Sequence, residues 1–77
     1  MTSVVRALRG ATTIDADTAD DVRTRTIALL EQMIERNGVD HDDIISVLFT
    51  ATDDIHSMFP ASAARDIGFG DIPLICA

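Results

Sequence analysis

The feature that most constrains the fold is one long helical pattern at residues 18–36, set among three short apolar runs. Its apolar side chains recur every three or four residues, which puts them on one face of a helix. Asp20 and Asp21 stand at its start, where carboxylates interact favourably with the helix dipole. Asn37 and Gly38 follow its end and tolerate the left-handed conformation that ends helices. The pattern therefore predicts one helix with a single buried face.

The three short apolar runs, at residues 4–8, 44–49 and 72–76, have the length and composition of strands. Both sides of the first two runs are mostly apolar, which is typical of strands covered on both faces. Pro60 suits the first turn of a second, shorter helix over residues 60–67, which Gly68 ends. The order strand-helix-strand-helix-strand predicts a small domain of α/β type.

Length and charge narrow the function classes. The 77 residues suffice for one small domain, residues 1–77, and 47% of them are hydrophobic. So much apolar surface favours a buried interface between subunits, and the alternative is that residues outside these 77 cover it. The net charge is −7 and the sequence has no lysine. Nucleic acid and anionic membranes attract clustered basic residues, so neither is an expected partner. An anionic small molecule would have to be bound by a few arginines.

The sequence also indicates a compartment. Cys76 is the only cysteine, so an internal disulfide is excluded and a reducing environment fits. The first residues carry no basic stretch followed by an apolar core, as a signal peptide would. No apolar run approaches the roughly 20 residues that a transmembrane helix needs. We expect a cytoplasmic protein.

Arg9 is the most informative single residue. It follows a predicted apolar strand, where a buried charge is costly unless it is paired. The guanidinium fork matches a carboxylate in a bidentate fashion. Arg9 is therefore either a clamp for a substrate carboxylate or a partner for one of the many aspartates, and its spacing alone does not separate the two.

Other reactive side chains give weaker signals. Residues 40–43, Asp-His-Asp-Asp, resemble metal ligands in composition, but their spacing matches no compact site, so no metal is expected. His56 would suit a general base, yet the sequence indicates no partner for it. Cys76 is either a nucleophile or, as is usual for a lone cysteine in an apolar strand, a small buried hydrophobe. No cofactor motif occurs.

Three ordered blocks resemble the chorismate mutases of the AroH class. RALRGATT at residues 6–13 is similar to the family's N-terminal R-x-x-R-G-A-T-T. TATDDIHSMFPA at residues 50–61 is similar to its A-T-x-D-[LI]-x-x-x-F-P-A signature, and PLICA at 73–77 resembles the start of a third block. The resemblance spans the whole chain, as the N-terminal part of the family's domain.

The resemblance implies an isomerase that rearranges chorismate to prephenate, in aromatic amino acid biosynthesis. This Claisen rearrangement needs no nucleophile, metal or cofactor. It requires that the dicarboxylate substrate be held in its reactive shape, with positive donors where charge develops on the ether oxygen.

Matching positions imply a role for individual residues. Arg9 would bind a substrate carboxylate, and Cys76 would contact the substrate hydroxyl as a polar group. Ser62 stands where many relatives carry lysine, and Ile75 where threonine is common. The substrate-binding positions implied in addition to Arg9 and Cys76 are Phe59, Ala61, Ser62, Arg65, Leu74, Ile75 and Ala77.

The family fold implies an α+β domain with a small mixed β-sheet and helices on one face. Three such domains form a barrel-like homotrimer with active sites at the subunit interfaces, where Phe59 and Ala61 belong to the neighbouring subunit. The family's catalytic glutamate and second arginine have no counterpart in residues 1–77, so we expect a truncated chain that is weakly active or inactive. The alternative is a non-enzymatic oligomeric binding module that retains the front half of the fold.

Overall fold

The long helix, α1, spans Ala19–Asn37 in the computed structural model, which describes residues 4–77. Thr18 caps its start, because the Thr18 hydroxyl accepts a hydrogen bond from the backbone N–H of Asp21. Gly38 ends it in the left-handed conformation at φ 60°, with its N–H donating to carbonyl oxygens of the last turn. The predicted helix is confirmed to within one residue at each end.

Two short strands form the sheet of the described chain. β1 spans Val47–Phe49 and β2 spans Leu74–Cys76. They run parallel, with Val47 opposite Leu74 and Phe49 opposite Cys76. Parallel strands require a crossover connection, and residues 50–73 supply it. The second and third predicted strands are confirmed, although both are shorter than expected.

The predicted first strand, residues 4–8, is not formed. These residues are exposed and belong to no helix or strand, and the sheet over residues 4–77 is two-stranded and parallel. The predictions of a first strand covered on both faces and of a mixed sheet were therefore wrong for the structure described. An apolar run becomes a strand only when a neighbouring strand accepts its backbone hydrogen bonds, and β1 and β2 pair with each other.

The crossover contains the second helix, α2, which spans Pro60–Ala64 and has proline in its first turn, as predicted. A kinked turn, Arg65–Phe69, follows it, and Ile67 and Gly68 within it have non-helical backbone angles. Within that turn Gly68 has φ 96°, a left-handed conformation that favours glycine. The kink at Gly68 ends the helix and directs Phe69 back into the core.

The core lies between the helices and one face of the sheet. Leu30, Ala64, Phe69 and Ile72 form its buried cluster. Ala63 and Ala64 are fully buried, at 0% exposure, so α1 and α2 approach each other over small side chains. Half-buried apolar residues of α1 and the strands complete this layer: Ile34, Ile44, Val47, Phe49, Ile67 and Leu74.

The opposite face of the sheet is open. Leu48 of β1 is 64% exposed, and Ile75, its partner across the sheet, is 54% exposed. The expectation of helices on one face is confirmed for this two-stranded sheet. No helix of the described residues is long and apolar enough to cross a membrane.

Candidate active site

A cleft of about 320 Å³ opens at the carboxyl ends of β1 and β2. This edge of a parallel sheet is where ligands commonly bind. Its floor comes from the last residues of both strands, and its wall comes from residues 50–59, which we call the pocket loop. The lining residues are Phe49, Thr50, Ala51, Thr52, Asp53, Ile55, His56, Met58, Phe59, Pro60, Cys76 and Ala77.

The pocket loop is folded by short-range contacts at its start. The backbone N–H of Ile55 donates to the carbonyl oxygen of Thr52 at 3.1 Å, which closes a turn. The Thr52 hydroxyl donates to the Asp54 carboxylate, and this hydrogen bond lowers the pKa of Asp54 below its ordinary value of 3.8. These contacts shape residues 52–55 but leave the second half of the loop without local support.

The second half of the loop is held by Asp17, which precedes the cap of α1. The Asp17 carboxylate accepts hydrogen bonds from the backbone N–H groups of His56 and Ser57, each at 3.0 Å, and from the Ser57 hydroxyl at 2.6 Å. The Ser57 hydroxyl, the Ser57 N–H and the His56 N–H, in that order, lower the pKa of Asp17 from 3.8. One carboxylate thus joins segments that are about 40 residues apart in sequence.

Three of the predicted site residues line the cleft together. Phe59 is 73% exposed and forms part of its wall. Cys76 is an exposed free thiol at the end of β2 rather than a buried hydrophobe. Ala77 follows it, and its N–H donates to the Phe49 carbonyl oxygen at 2.9 Å.

Five others lie outside the cleft in the single chain. Ala61 is buried at 5% exposure, and half-buried Leu74 packs against the core. Half-buried Ser62 donates its N–H to the Phe59 carbonyl oxygen. Arg65 and Ile75 are exposed. The substrate roles of all five stay predictions.

Arg9 lies in a second groove, alongside α1, and is exposed instead of buried at a strand end. Arg36, Gln32 and Asn37 of α1 line the same groove. Gly10 allows the stretch of chain that carries Arg9 to approach α1 closely, since a Cβ atom on Gly10 would lie 2.6 Å from the Met33 sulfur. No side chain of the cleft lines this groove, so one chain does not bring Arg9 and Phe59 into a common cavity.

The other residues weighed from the sequence have ordinary surroundings. His41 contacts Asp71 through Nε2 at 3.0 Å and packs edge-on against the Phe69 ring. His56 is held by its backbone, not through its ring. Within residues 4–77, no three His, Cys, Asp or Glu side chains are grouped as metal ligands.

Comparison with known proteins agrees with this architecture and with its motifs. The family model described as chorismate mutase type I matches residues 5–77, nearly the whole chain. The chain belongs to this chorismate mutase family. The match includes most of the exposed N-terminal segment, which we define as residues 4–10, and the strand that ends in Cys76.

Two curated relatives are both described as chorismate mutase AroH. The protein from Bacillus subtilis (strain 168) is 39% identical over 74 residues, which cover 95% of this chain and 58% of that protein. The protein from Thermus thermophilus is 43% identical over 75 residues, which cover 96% of this chain and 62% of that protein. The chain thus spans about three fifths of the length of these relatives.

A solved chorismate mutase from Clostridium thermocellum has the same fold. It superimposes with a TM-score of 0.82 at 45% sequence identity, over 86% of this chain and 59% of that structure. The family membership and the shared fold support comparing the cleft with a chorismate mutase site.

Sequence reasoning missed Asp17. The aspartates before α1 are explained by helix capping, and a cap is a local feature. Nothing in a periodic pattern relates Asp17 to Ser57, because hydrogen bonds between a loop and a helix start depend on tertiary packing. One signal was available in the sequence. The pocket loop has many backbone N–H groups outside any predicted helix or strand, and such groups need hydrogen-bond partners elsewhere.

Proposed function

We propose that the protein is a chorismate mutase that converts chorismate to prephenate by an intramolecular rearrangement, as an isomerase of aromatic amino acid biosynthesis. The observation that carries the proposal is the family match over residues 5–77, which includes the Arg9 motif and the residues that line the cleft. The absence of any need for a cofactor follows from the chemistry, because the rearrangement requires only orientation and electrostatic stabilisation.

In this proposal the substrate lies against the carboxyl ends of β1 and β2. Phe59 packs on its apolar ring face, and Cys76 contacts its hydroxyl. Their common location in the cleft supports both roles. Arg9 binds a carboxylate through its planar guanidinium, which can donate two parallel hydrogen bonds. Its side chain is exposed and therefore accessible to a ligand.

The complete site forms where copies of the chain meet. Arg9 and Phe59 line separate cavities of one chain, and this separation supports a site shared between subunits. Exposed apolar residues support self-association, because their burial between subunits would remove apolar surface from water. They are Val4, Val5, Leu8, Ile45, Leu48, Phe59 and Ile75. By resemblance to the family we assign a homotrimer. The lone cysteine, which fits a reducing compartment, supports a cytoplasmic location.

The test is the consumption of chorismate by the purified protein, beside Arg9→Ala and Arg23→Ala. We expect the wild-type protein to convert chorismate to prephenate. Arg9→Ala should lower kcat/KM by about a hundredfold, the scale of a lost charged donor. Arg23 pairs with Asp66 on the surface at 3.4 Å and is the matched control, with near-normal turnover.

The outcomes separate the two function classes. Conversion that survives in Arg9→Ala would contradict the carboxylate clamp. Binding of chorismate without conversion would favour the non-enzymatic binding module. A protein that neither binds nor converts chorismate would contradict both the activity and the ligand.

A further inference from the structure

The second half of the pocket loop depends on one side chain from another part of the chain. Asp17 accepts three hydrogen-bond donors from two consecutive residues, His56 and Ser57. Hydrogen bonds to a carboxylate are stronger than those between neutral groups. No other side chain of residues 4–77 makes a hydrogen bond to residues 56–59.

Asp17 is itself fixed in place. It adjoins Thr18, whose N–H donates to the Ala16 carbonyl oxygen at 2.9 Å and whose hydroxyl caps α1 at 3.2 Å. Nearby, the Asp21 carboxylate accepts the N–H groups of Asp15 and Ala16. These contacts attach the Asp17 backbone to the first turn of the longest helix, so its carboxylate is presented from a fixed position.

The held residues lie next to the cleft wall. Phe59 follows Ser57 by two residues and has an extended backbone, at φ −80° and ψ 129°. Extended chain rises about 3.3 Å per residue, so Ser57 and Phe59 are about 7 Å apart along the backbone. A shift of Ser57 is therefore transmitted to Phe59. Beyond Phe59, Pro60 begins α2, which packs against α1. The loop is thereby held by α1 directly, through Asp17, and indirectly, through α2.

We infer that Asp17 is a positioning residue, which holds His56 and Ser57 so that the Phe59 side chain stays in place on the wall of the substrate cleft. The inference rests on the proposed function for its ligand, chorismate. Asp17 touches no substrate in this account. Its effect on binding passes through the loop.

The experiment compares Asp17→Ala with Asp20→Ala in the whole chain. Both changes remove one carboxylate near the start of α1, but the Asp20 carboxylate makes no hydrogen bond or salt bridge with the residues that the structure describes. The first readout is backbone amide hydrogen exchange by NMR. At His56 and Ser57 we expect exchange about tenfold faster in Asp17→Ala and unchanged in Asp20→Ala.

The second readout is kinetic. In Asp17→Ala we expect KM for chorismate to rise about fivefold or more with a smaller change in kcat, because the wall that contacts the substrate is displaced while Arg9 is intact. Asp17→Glu, which restores a carboxylate, should recover part of the affinity. Ser57→Ala removes only the hydroxyl donor and should have a smaller effect, and it covers the case in which Asp17→Ala fails to fold.

Each result decides the inference. Unchanged exchange at His56 and Ser57 in Asp17→Ala would overturn it, as would faster exchange with wild-type KM and kcat. If the wild-type chain does not act on chorismate, the proposed function fails. The inference is then decided by the NMR shifts of the Phe59 ring, which must move in Asp17→Ala and not in Asp20→Ala.

Discussion

Two apolar stretches of the chain differ in burial: one is exposed to solvent and the other forms the core. In the N-terminal segment, Val4 and Val5 are 65% and 78% exposed. In the segment from α2 to β2, Ala63 and Ala64 are fully buried, and Phe69 and Ile72 are 4% and 7% exposed. Both segments carry residues that the family resemblance assigns to the substrate, Arg9 in the first and Phe59 and Cys76 at the borders of the second.

The difference shows which contacts a single chain provides. The second segment ends in β2, which pairs with β1, and its helix α2 packs on α1, so its apolar side chains meet partners within the same chain. The N-terminal segment contacts α1 near Gly10 but has no strand beside it among the described residues. Hydrophobicity supplies the driving force for burial. An apolar side chain is buried only where the folded chain offers a surface for it to pack against.

The largest expected effect tests this contrast in stability. Phe69→Ala should lower the free energy of unfolding by about 3–4 kcal/mol, because it leaves a cavity in the core cluster. Leu8→Ala, at a side chain that is 48% exposed, should change it by less than about 0.5 kcal/mol. Urea denaturation followed by circular dichroism measures both. Equal losses would mean that the N-terminal segment is packed as firmly as the core.

An intermediate effect is expected at the end of α1, on which both segments rest. Gly38→Ala should cost about 1–2 kcal/mol, because φ 60° is unfavourable for a residue with a Cβ atom. Gly70→Ala is the matched control, since Gly70 has φ −66° and open space around its Cα. Thermal denaturation of the two variants checks the prediction. A Gly38→Ala protein as stable as Gly70→Ala would contradict the cap.

The smallest effect concerns pH and the Asp17 contact. The pKa of Asp17 is lower in the folded chain than the ordinary 3.8, so its contribution to stability is present above 3.8 and is lost as the pH falls through the folded value. Wild type should exceed Asp17→Asn in stability at about pH 5, and the difference should shrink towards about pH 3. Urea titrations at both values measure it. A difference that is independent of pH would exclude the carboxylate as its source.

Sequence patterns predicted the elements that local interactions determine. The Thr18 cap, the apolar face of α1 and the Gly38 end are all encoded within a few residues, and this helix was confirmed. β1 and β2 were recognised from their composition, but their lengths depend on how far the two backbones run side by side. The run at residues 4–8 has an equally strong pattern but no partner strand within residues 4–77, so the same reasoning failed there.

The residues of the candidate site also fall into two groups: those that sequence motifs identify, and those whose location depends on tertiary packing. Motif resemblance identified Phe59, Cys76 and Ala77, and the folded chain brings these three to one cleft. Arg9 was identified by the same resemblance, but its location depends on what the N-terminal segment packs against. Asp17 could not be identified, because its partners His56 and Ser57 are distant in sequence and are held through their backbone.

The central claim is that the two regions form one substrate site although they line separate cavities of the single chain. The most direct measurement is an NMR titration of the isotope-labelled protein with chorismate, following the amides of Arg9, Phe59 and Cys76. The account predicts that all three signals shift with the same saturation curve. Shifts confined to Phe59 and Cys76, or an Arg9 signal that responds at a different concentration, would contradict a shared site.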